Sequence, residues 1–198
     1  GDGEARSMAK KLTSVIGVDI GSHAIKVAEL RAKGREAELV AVGIAETPEG
    51  AVDHTGVYNS DAVGDALKQL LKSNDIKTGP VVVSLAGQAS VLVRTLEVPR
   101  MTPAELKEHM QWEINRNIPF AESNVLRDSK VLPDDDPNSP NMEVVMALAP
   151  QSAIDTLVTC VKRAGKQTVG IDVEPLAIAR SLEFSHGDEF RDQVVCVV

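Results

Sequence analysis

The chain has 198 residues, 43% of them hydrophobic and 3% aromatic, with a formal net charge of -8. That suffices for one domain or two small subdomains with a core of Val, Leu, Ile and Ala, and it excludes a nucleic-acid binder that works through a broad basic face. No stretch reads as a membrane span or a signal peptide, and two cysteines without partners at ligand spacing argue against a disulfide framework or a zinc site and for a reducing cytosol.

Residues Gly1 to Ser7 lack periodicity and precede Met8; they read as an expression scar. Three strand-like runs follow, Ser14 to Ile20, Ile25 to Arg31 and Ala37 to Ala45. Turns at Gly21-Ser22 and Gly34 separate them, which predicts an antiparallel meander. After a polar loop, Ser60 is placed to cap a helix whose apolar stripe is Val63, Leu67, Leu70 and Leu71. Val81 to Ala86 and Ser90 to Val98 read as two more strands joined around Gly87.

Thr102-Pro103-Ala104-Glu105 is a capping box with proline at the first helical position, and Met101 and Leu106 are spaced as a hydrophobic staple. Leu106, Met110 and Ile114 mark the buried face of that helix, Trp112 is read as completing the same core, and Pro119 ends the element. Pro133 to Pro140 is an exposed loop; its Asp134-Asp135-Asp136 run lacks the glycine and distal glutamate of a calcium loop. A strand at Met142 to Ala149 leads to a helix from Ser152 to Ala164. Its expected apolar face is Ile154, Leu157, Val158 and Val161, and Gly165 is its stop. A strand at Val169 to Val173 precedes a helix that begins near Glu174-Pro175. Val194 to Val198 read as a buried strand, and His54, His109 and His186 form no triad or metal set.

The segment that carries chemistry is Gly17-Val18-Asp19-Ile20-Gly21-Ser22-His23-Ala24-Ile25-Lys26, a strand, a tight turn and a second strand. Glycine lets the backbone approach a phosphate, and the amides around Gly21, Ser22 and His23 can donate to it. Ser22 adds a hydroxyl and Lys26 a positive charge, while Asp19 suits a magnesium ion or its bound water. The turn opens a strand, not a helix, so it is neither a P-loop nor a dinucleotide fingerprint. Taken alone, it reads equally well as a plain hairpin turn with an exposed His23.

Val18-Asp19-Ile20-Gly21-Ser22 followed by Ile25-Lys26-Val27-Ala28-Glu29-Leu30 resembles the first phosphate motif of the actin-like ATPases, which include actin, heat-shock chaperones, sugar kinases, FtsA and PilM. Leu96-Glu97-Val98-Pro99-Arg100-Met101, with Glu105-Leu106, Glu113 and Asn117-Ile118-Pro119-Phe120, is similar to the PilM family of type IV pilus assembly. Gly170-Ile171-Asp172-Val173-Glu174-Pro175-Leu176-Ala177 is similar to it as well. The Glu-Pro-x-Ala core there looks like the superfamily's connecting motif, whose glutamate lies near the metal.

The resemblance, from about Leu12 to Val198, implies an α/β fold. Residues 8–85 and 166–198 would form an actin-like, ribonuclease-H-like subdomain, and 86–165 an inserted small α/β subdomain of the FtsA and PilM type. The second half of the fold, with the second phosphate motif and the adenosine pocket, would follow Val198. ATP and magnesium would be held in the full-length protein through Asp19, Gly21, Ser22, His23, Lys26 and Glu174, with Asp19 on the metal, and this chain alone would bind nucleotide weakly or not at all. The implied role is a cytoplasmic scaffold with at most weak ATPase activity. It would bind the N-terminal cytoplasmic tail of a PilN-like membrane protein in a groove between the subdomains. Other pilus assembly proteins would be further partners, and recruitment to the inner membrane would be indirect. A sugar- or acetate-kinase-like phosphotransferase and an FtsA-like division protein are the alternatives.

Overall fold

A computed structural model describes residues 12–34, 36–85, 91–117, 124–133, 136, 138–190 and 195–196, without the side chains of 114–117. The tail at 1–7, the Gly87 turn, Asp134-Asp135, Ile118-Pro119-Phe120 and the Ile114 side chain lie outside these residues.

The expected meander is present as β1 (Ser14–Ile20), β2 (Ala24–Lys33) and β3 (Glu36–Glu46). Period-2 alternation buries Ile16, Val18 and Ile20 of β1, with Ile25 and Val27 of β2, on one face. The polar loop contains a small hairpin, β4 (Val52–Asp53) and β5 (Gly56–Val57). Its turn forms because Asp53 Oδ1 accepts from the Thr55 and Gly56 amides, at 2.7 and 3.3 Å.

Helix α1 (Ser60–Ser73) buries Val63, Leu67, Leu70 and Leu71 as expected. Its cap is one residue earlier than the sequence suggests. Asn59, with φ -121°, stands outside the helix and accepts from the Ala62 amide at 3.0 Å, whereas Ser60 is already helical.

Strands β6 (Pro80–Leu85) and β7 (Leu92–Pro99) are consecutive in the chain but belong to different sheets. β6 lies parallel to β1 and to β10 (Gln167–Val173), giving the five-stranded order β10-β6-β1-β2-β3. β7 pairs with β9 (Asn141–Pro150), which also pairs with β8 (Val125–Val131), giving an antiparallel sheet of order β7-β9-β8. Helix α2 (Pro103–Asn117) covers that second sheet and encloses a core of Val98, Leu106, Met110, Met142, Val144, Met146 and Leu148. The capping box is made: the Thr102 amide donates to Glu105 Oε2 at 2.8 Å, and the Glu105 amide donates to Thr102 Oγ1 at 3.3 Å. The Thr102 amide first, and then the Thr102 hydroxyl, which donates to the same Oε2 at 2.8 Å, hold the Glu105 carboxyl below the usual range. Met101 packs beside Leu106 as the staple requires. Trp112 does not complete this core; it is 53% exposed, beside the His109 ring at 6.0 Å.

Helix α3 (Gln151–Arg163) corrects the expected boundary at Gly165. Its Leu157, Cys160 and Val161, with Ala164, are buried in the core of the five-stranded sheet together with α1, not against the three-stranded sheet. Its apolar face is rotated from the one read in sequence: Cys160 is fully buried while Val158 is 36% exposed. Gly165, at φ +77°, ends the helix as expected. Helix α4 (Glu174–His186) follows β10 on the opposite face of the sheet, where Ala177, Ile178 and Ser181 overlie Gly17, Ala28 and Val82. The described part of the expected last strand, Val195 and Cys196, is exposed and not in a strand.

Two layers of helix thus sandwich a sheet in which β10, β6 and β1 run parallel. Such sheets place functional groups beyond the carboxyl ends of the strands. Here those ends are Ile20, Leu85 and Val173.

Candidate phosphate site

Asp19, Gly21, Ser22, Lys26 and Glu174 come together at those strand ends, lining one cleft of about 500 Å³. The β1–β2 register sets Lys26 opposite Asp19, and Nζ meets Oδ2 at 2.8 Å. The other oxygen, Oδ1, accepts from the Ser84 hydroxyl at 3.1 Å. Lys26 is held more firmly protonated than an ordinary lysine, first by the hydrogen bond to Asp19, then by that residue's charge, with a smaller contribution from Glu174. Glu174 enters because β10 delivers the α4 amino terminus to the same edge.

The turn is more self-contained than the sequence suggests. The Gly21 amide does not point outward: it donates to Ala24 O at 3.0 Å, and Gly21 O accepts from Thr47 Oγ1 at 2.7 Å. A Cβ on Gly21 would approach Ala24 O to 3.1 Å, so the closeness of the turn is what requires glycine. The Ser22 and His23 amides reach no backbone acceptor among the described residues. His23 is outside the cleft lining; its ring is exposed and hydrogen-bonded to Ser22 Oγ at 3.0 Å.

Sequence reading missed three contributors. Ser84 is one, the first polar residue after Val81-Val82-Val83. The β4–β5 hairpin is another, bringing Asp53, Thr55 and Tyr58 to the cleft. The third is the first turns of α3, with Ser152, Ala153, Thr156 and Leu157. Only the polar end of the Val-Val-Val-Ser run carried a local signal.

Magnesium with a nucleotide takes one or two carboxylates and fills its shell with phosphate oxygens and water. Asp19 with Glu174, beside one ammonium and two hydroxyls, is a hard-oxygen donor set that fits such a group. Among the described residues no cluster of three or more His, Cys, Asp or Glu forms a cage of its own.

The family model described as "Type IV pilus assembly protein PilM" matches residues 17–198. The chain belongs to the PilM family. A solved structure, described as "PilM-PilN type IV pilus biogenesis complex", superposes with a TM-score of 0.78 at 29% identity, covering 88% of this chain and 52% of that one. The present chain therefore spans about half the length of that PilM-type relative. The cytoplasmic domain of EpsL, an inner-membrane component of the Vibrio cholerae type II secretion system, is similar at TM-score 0.49 and 12% identity, covering 80% of this chain and 57% of that one. A Bacteroides thetaiotaomicron protein described as having an actin-like ATPase fold and unknown function gives 0.41 and 7%, with 86% and 56% covered. Both are too distant to carry an argument. The five-stranded order with its antiparallel meander is the actin-like architecture expected from the resemblance, and PilM membership sets aside the kinase and division-protein alternatives. Among the described residues no helix is long and apolar enough to cross a membrane.

Proposed function

We propose that this PilM-family chain is a cytoplasmic scaffold of type IV pilus assembly that binds the N-terminal cytoplasmic tail of a PilN-like inner-membrane protein. The observation that carries this reading is the close overlay, across 88% of the chain, on a relative solved as a complex with PilN. The tail is proposed to lie extended in a groove between the two subdomains, adding main-chain hydrogen bonds at a sheet edge. The strand-end site at Asp19, Ser22, His23, Lys26 and Glu174 supplies one half of an ATP–magnesium clamp; the other half comes from the part of the fold that this chain does not span. Other pilus assembly proteins engage the scaffold, and it reaches the inner membrane through its partners.

Fluorescence anisotropy of a labelled PilN-like tail peptide, against a scrambled peptide, tests the scaffold reading on this chain. Saturable binding of the native peptide alone is expected, with modest affinity because a disordered tail loses entropy on docking. Equal binding of both peptides, or of neither to demonstrably folded protein, overturns it.

A further inference from the structure

The sheet register sets four side chains in a row at the carboxyl ends of the strands. Lys26 of β2 is opposite Asp19 of β1. Asp19 is level with Ser84 of β6, one step past the Val18–Val83 pair, and Ser84 is opposite Asp172 of β10. All four lie on the face away from the main core, on strands about 4.8 Å apart, and Asp19 is in contact with both Lys26 and Ser84. The sequence of groups is ammonium, carboxylate, hydroxyl, carboxylate. A serine hydroxyl has one proton to donate, and here it stands between two acceptors.

The structure resolves that competition in one direction. Asp172 is already engaged: its Oδ1 accepts from the Val173 amide at 2.8 Å, and its Oδ2 is paired with Arg180 of α4. The Ser84 proton goes instead to Oδ1 of Asp19. Asp19 is consequently held at both oxygens, Oδ1 by Ser84 and Oδ2 by Lys26, with its side chain 28% exposed toward the cleft.

We propose that Ser84 is the positioning residue of the phosphate site: its hydroxyl pins Oδ1 of Asp19, so that Oδ2 is the oxygen presented to Lys26 and to a magnesium–phosphate ligand, while Arg180 keeps Asp172 from claiming the same hydroxyl. The inference rests on the reading of this cleft as half of a nucleotide clamp, and it adds a residue and a direction to it. The carboxylate torsion of aspartate is broad and roughly two-fold. Without the Ser84 bond the Asp19 carboxylate turns more freely, and magnesium binding must then fix the orientation that Ser84 otherwise holds in advance. Losing Ser84 therefore raises the magnesium requirement, whereas losing a merely structural contact lowers stability and affinity together.

The test titrates magnesium into the full-length protein, carrying both halves of the fold, with a fluorescent ATP analogue. Ser84→Ala is expected to raise the magnesium concentration for half-maximal binding about tenfold, the size of a lost hydrogen bond to a charged group. Magnesium-free nucleotide binding falls by a much smaller factor, and Tm stays close to wild type. Ser84→Thr, which keeps the hydroxyl, restores the wild-type midpoint, and Arg180→Ala shifts it in the same direction as Ser84→Ala by a smaller factor. Unchanged magnesium midpoints in Ser84→Ala and Arg180→Ala overturn the role of Ser84 while leaving the nucleotide reading standing. Equal losses with and without magnesium, accompanied by a lower Tm, overturn it in favour of simple packing. A wild-type protein that shows no magnesium-dependent binding at all overturns the nucleotide reading and this inference with it.

Discussion

Arg163 of α3 holds Asp65 of α1 through two parallel hydrogen bonds, Nε to Oδ1 at 2.9 Å and Nη2 to Oδ2 at 2.8 Å. The pair is well exposed and screened by solvent, so its own contribution to stability is small. Its consequence is geometric. The Arg163 stem lies across Gly64, and the two helices approach so closely that a Cβ on Gly64 would stand 2.5 Å from Arg163 Cβ and 3.0 Å from Cys160 O. In an ordinary helix interior, glycine to alanine gains about 1 kcal/mol in propensity. Here Gly64→Ala forces α1 and α3 apart at a fully buried seam, and overpacking of that kind costs about 1–3 kcal/mol. The clash wins, and thermal unfolding of Gly64→Ala shows a lower Tm than wild type. A Tm at or above wild type would show that α3 does not sit against α1 as described.

The two cysteines differ in exposure. Cys160 is fully buried, and burial pushes its thiol up from 9.0 to about 11. Cys196 is exposed. A thiolate-directed reagent at pH 8 should therefore label one thiol per native chain, Cys196, and two after denaturation. The sign of the pH effect follows from the raised value. Between 9.0 and about 11 the unfolded thiol loses its proton and the folded one keeps it, so the contribution of Cys160 to stability is complete below that window and is lost across it. Cys160→Ala should flatten that part of the alkaline decline, as measured by denaturant midpoints at pH 8 and pH 10.

What was legible in the sequence was local. The Thr102–Glu105 box, the Val63–Leu71 stripe and the Val18–Lys26 turn each declare themselves within a few residues, through capping chemistry, helical period or glycine. Pairing across the chain does not. Val81 to Leu85 and Leu92 to Val98 have the same strand signature, yet one lies parallel between β1 and β10 and the other leaves for a different sheet. Only long-range register decides that. The α3 face was misjudged for a related reason. Apolarity favours Val158, but the packing of α3 turns Cys160 into the core instead. Ser84 became visible as part of the site only when β6 was set beside Asp19. The resemblance supplied Glu174, which no local pattern links to a turn more than 150 residues earlier.

Nucleotide binding should depend on how much of the fold is present. The cleft in this chain offers donors from one side, namely the Ser22 and His23 amides, the Ser22 hydroxyl and Lys26. Isothermal titration calorimetry of ATP with magnesium should give weak or undetectable binding to these 198 residues and measurable binding to a full-length protein with both halves. Micromolar affinity in the present chain alone would mean that the half-clamp argument is wrong.

On the proposed reading, substitutions at Asp19 and Lys26 would separate metal from phosphate recognition in a protein with both halves of the fold. In the structure each is the other's partner, at 2.8 Å, so either substitution frees the remaining charge into solvent at the cleft mouth without burying it. Neither should lower Tm appreciably, because Lys26 is more than half exposed and the pair is screened. Their effects on ligand should differ in kind. Asp19→Ala removes the carboxylate available to magnesium, so it abolishes the gain in affinity that magnesium brings, while magnesium-free binding is unchanged or slightly improved by the loss of a negative charge. Lys26→Ala removes a charge-assisted contact to phosphate and weakens binding with and without magnesium alike, by about 1 kcal/mol or roughly fivefold after allowing for exposure. Binding isotherms for the two variants, each with magnesium and with a chelator, distinguish these patterns. If both variants bind as wild type does under both conditions, the Asp19–Lys26 pair is only the closure of a hairpin, and the phosphate must be sought elsewhere in the fold.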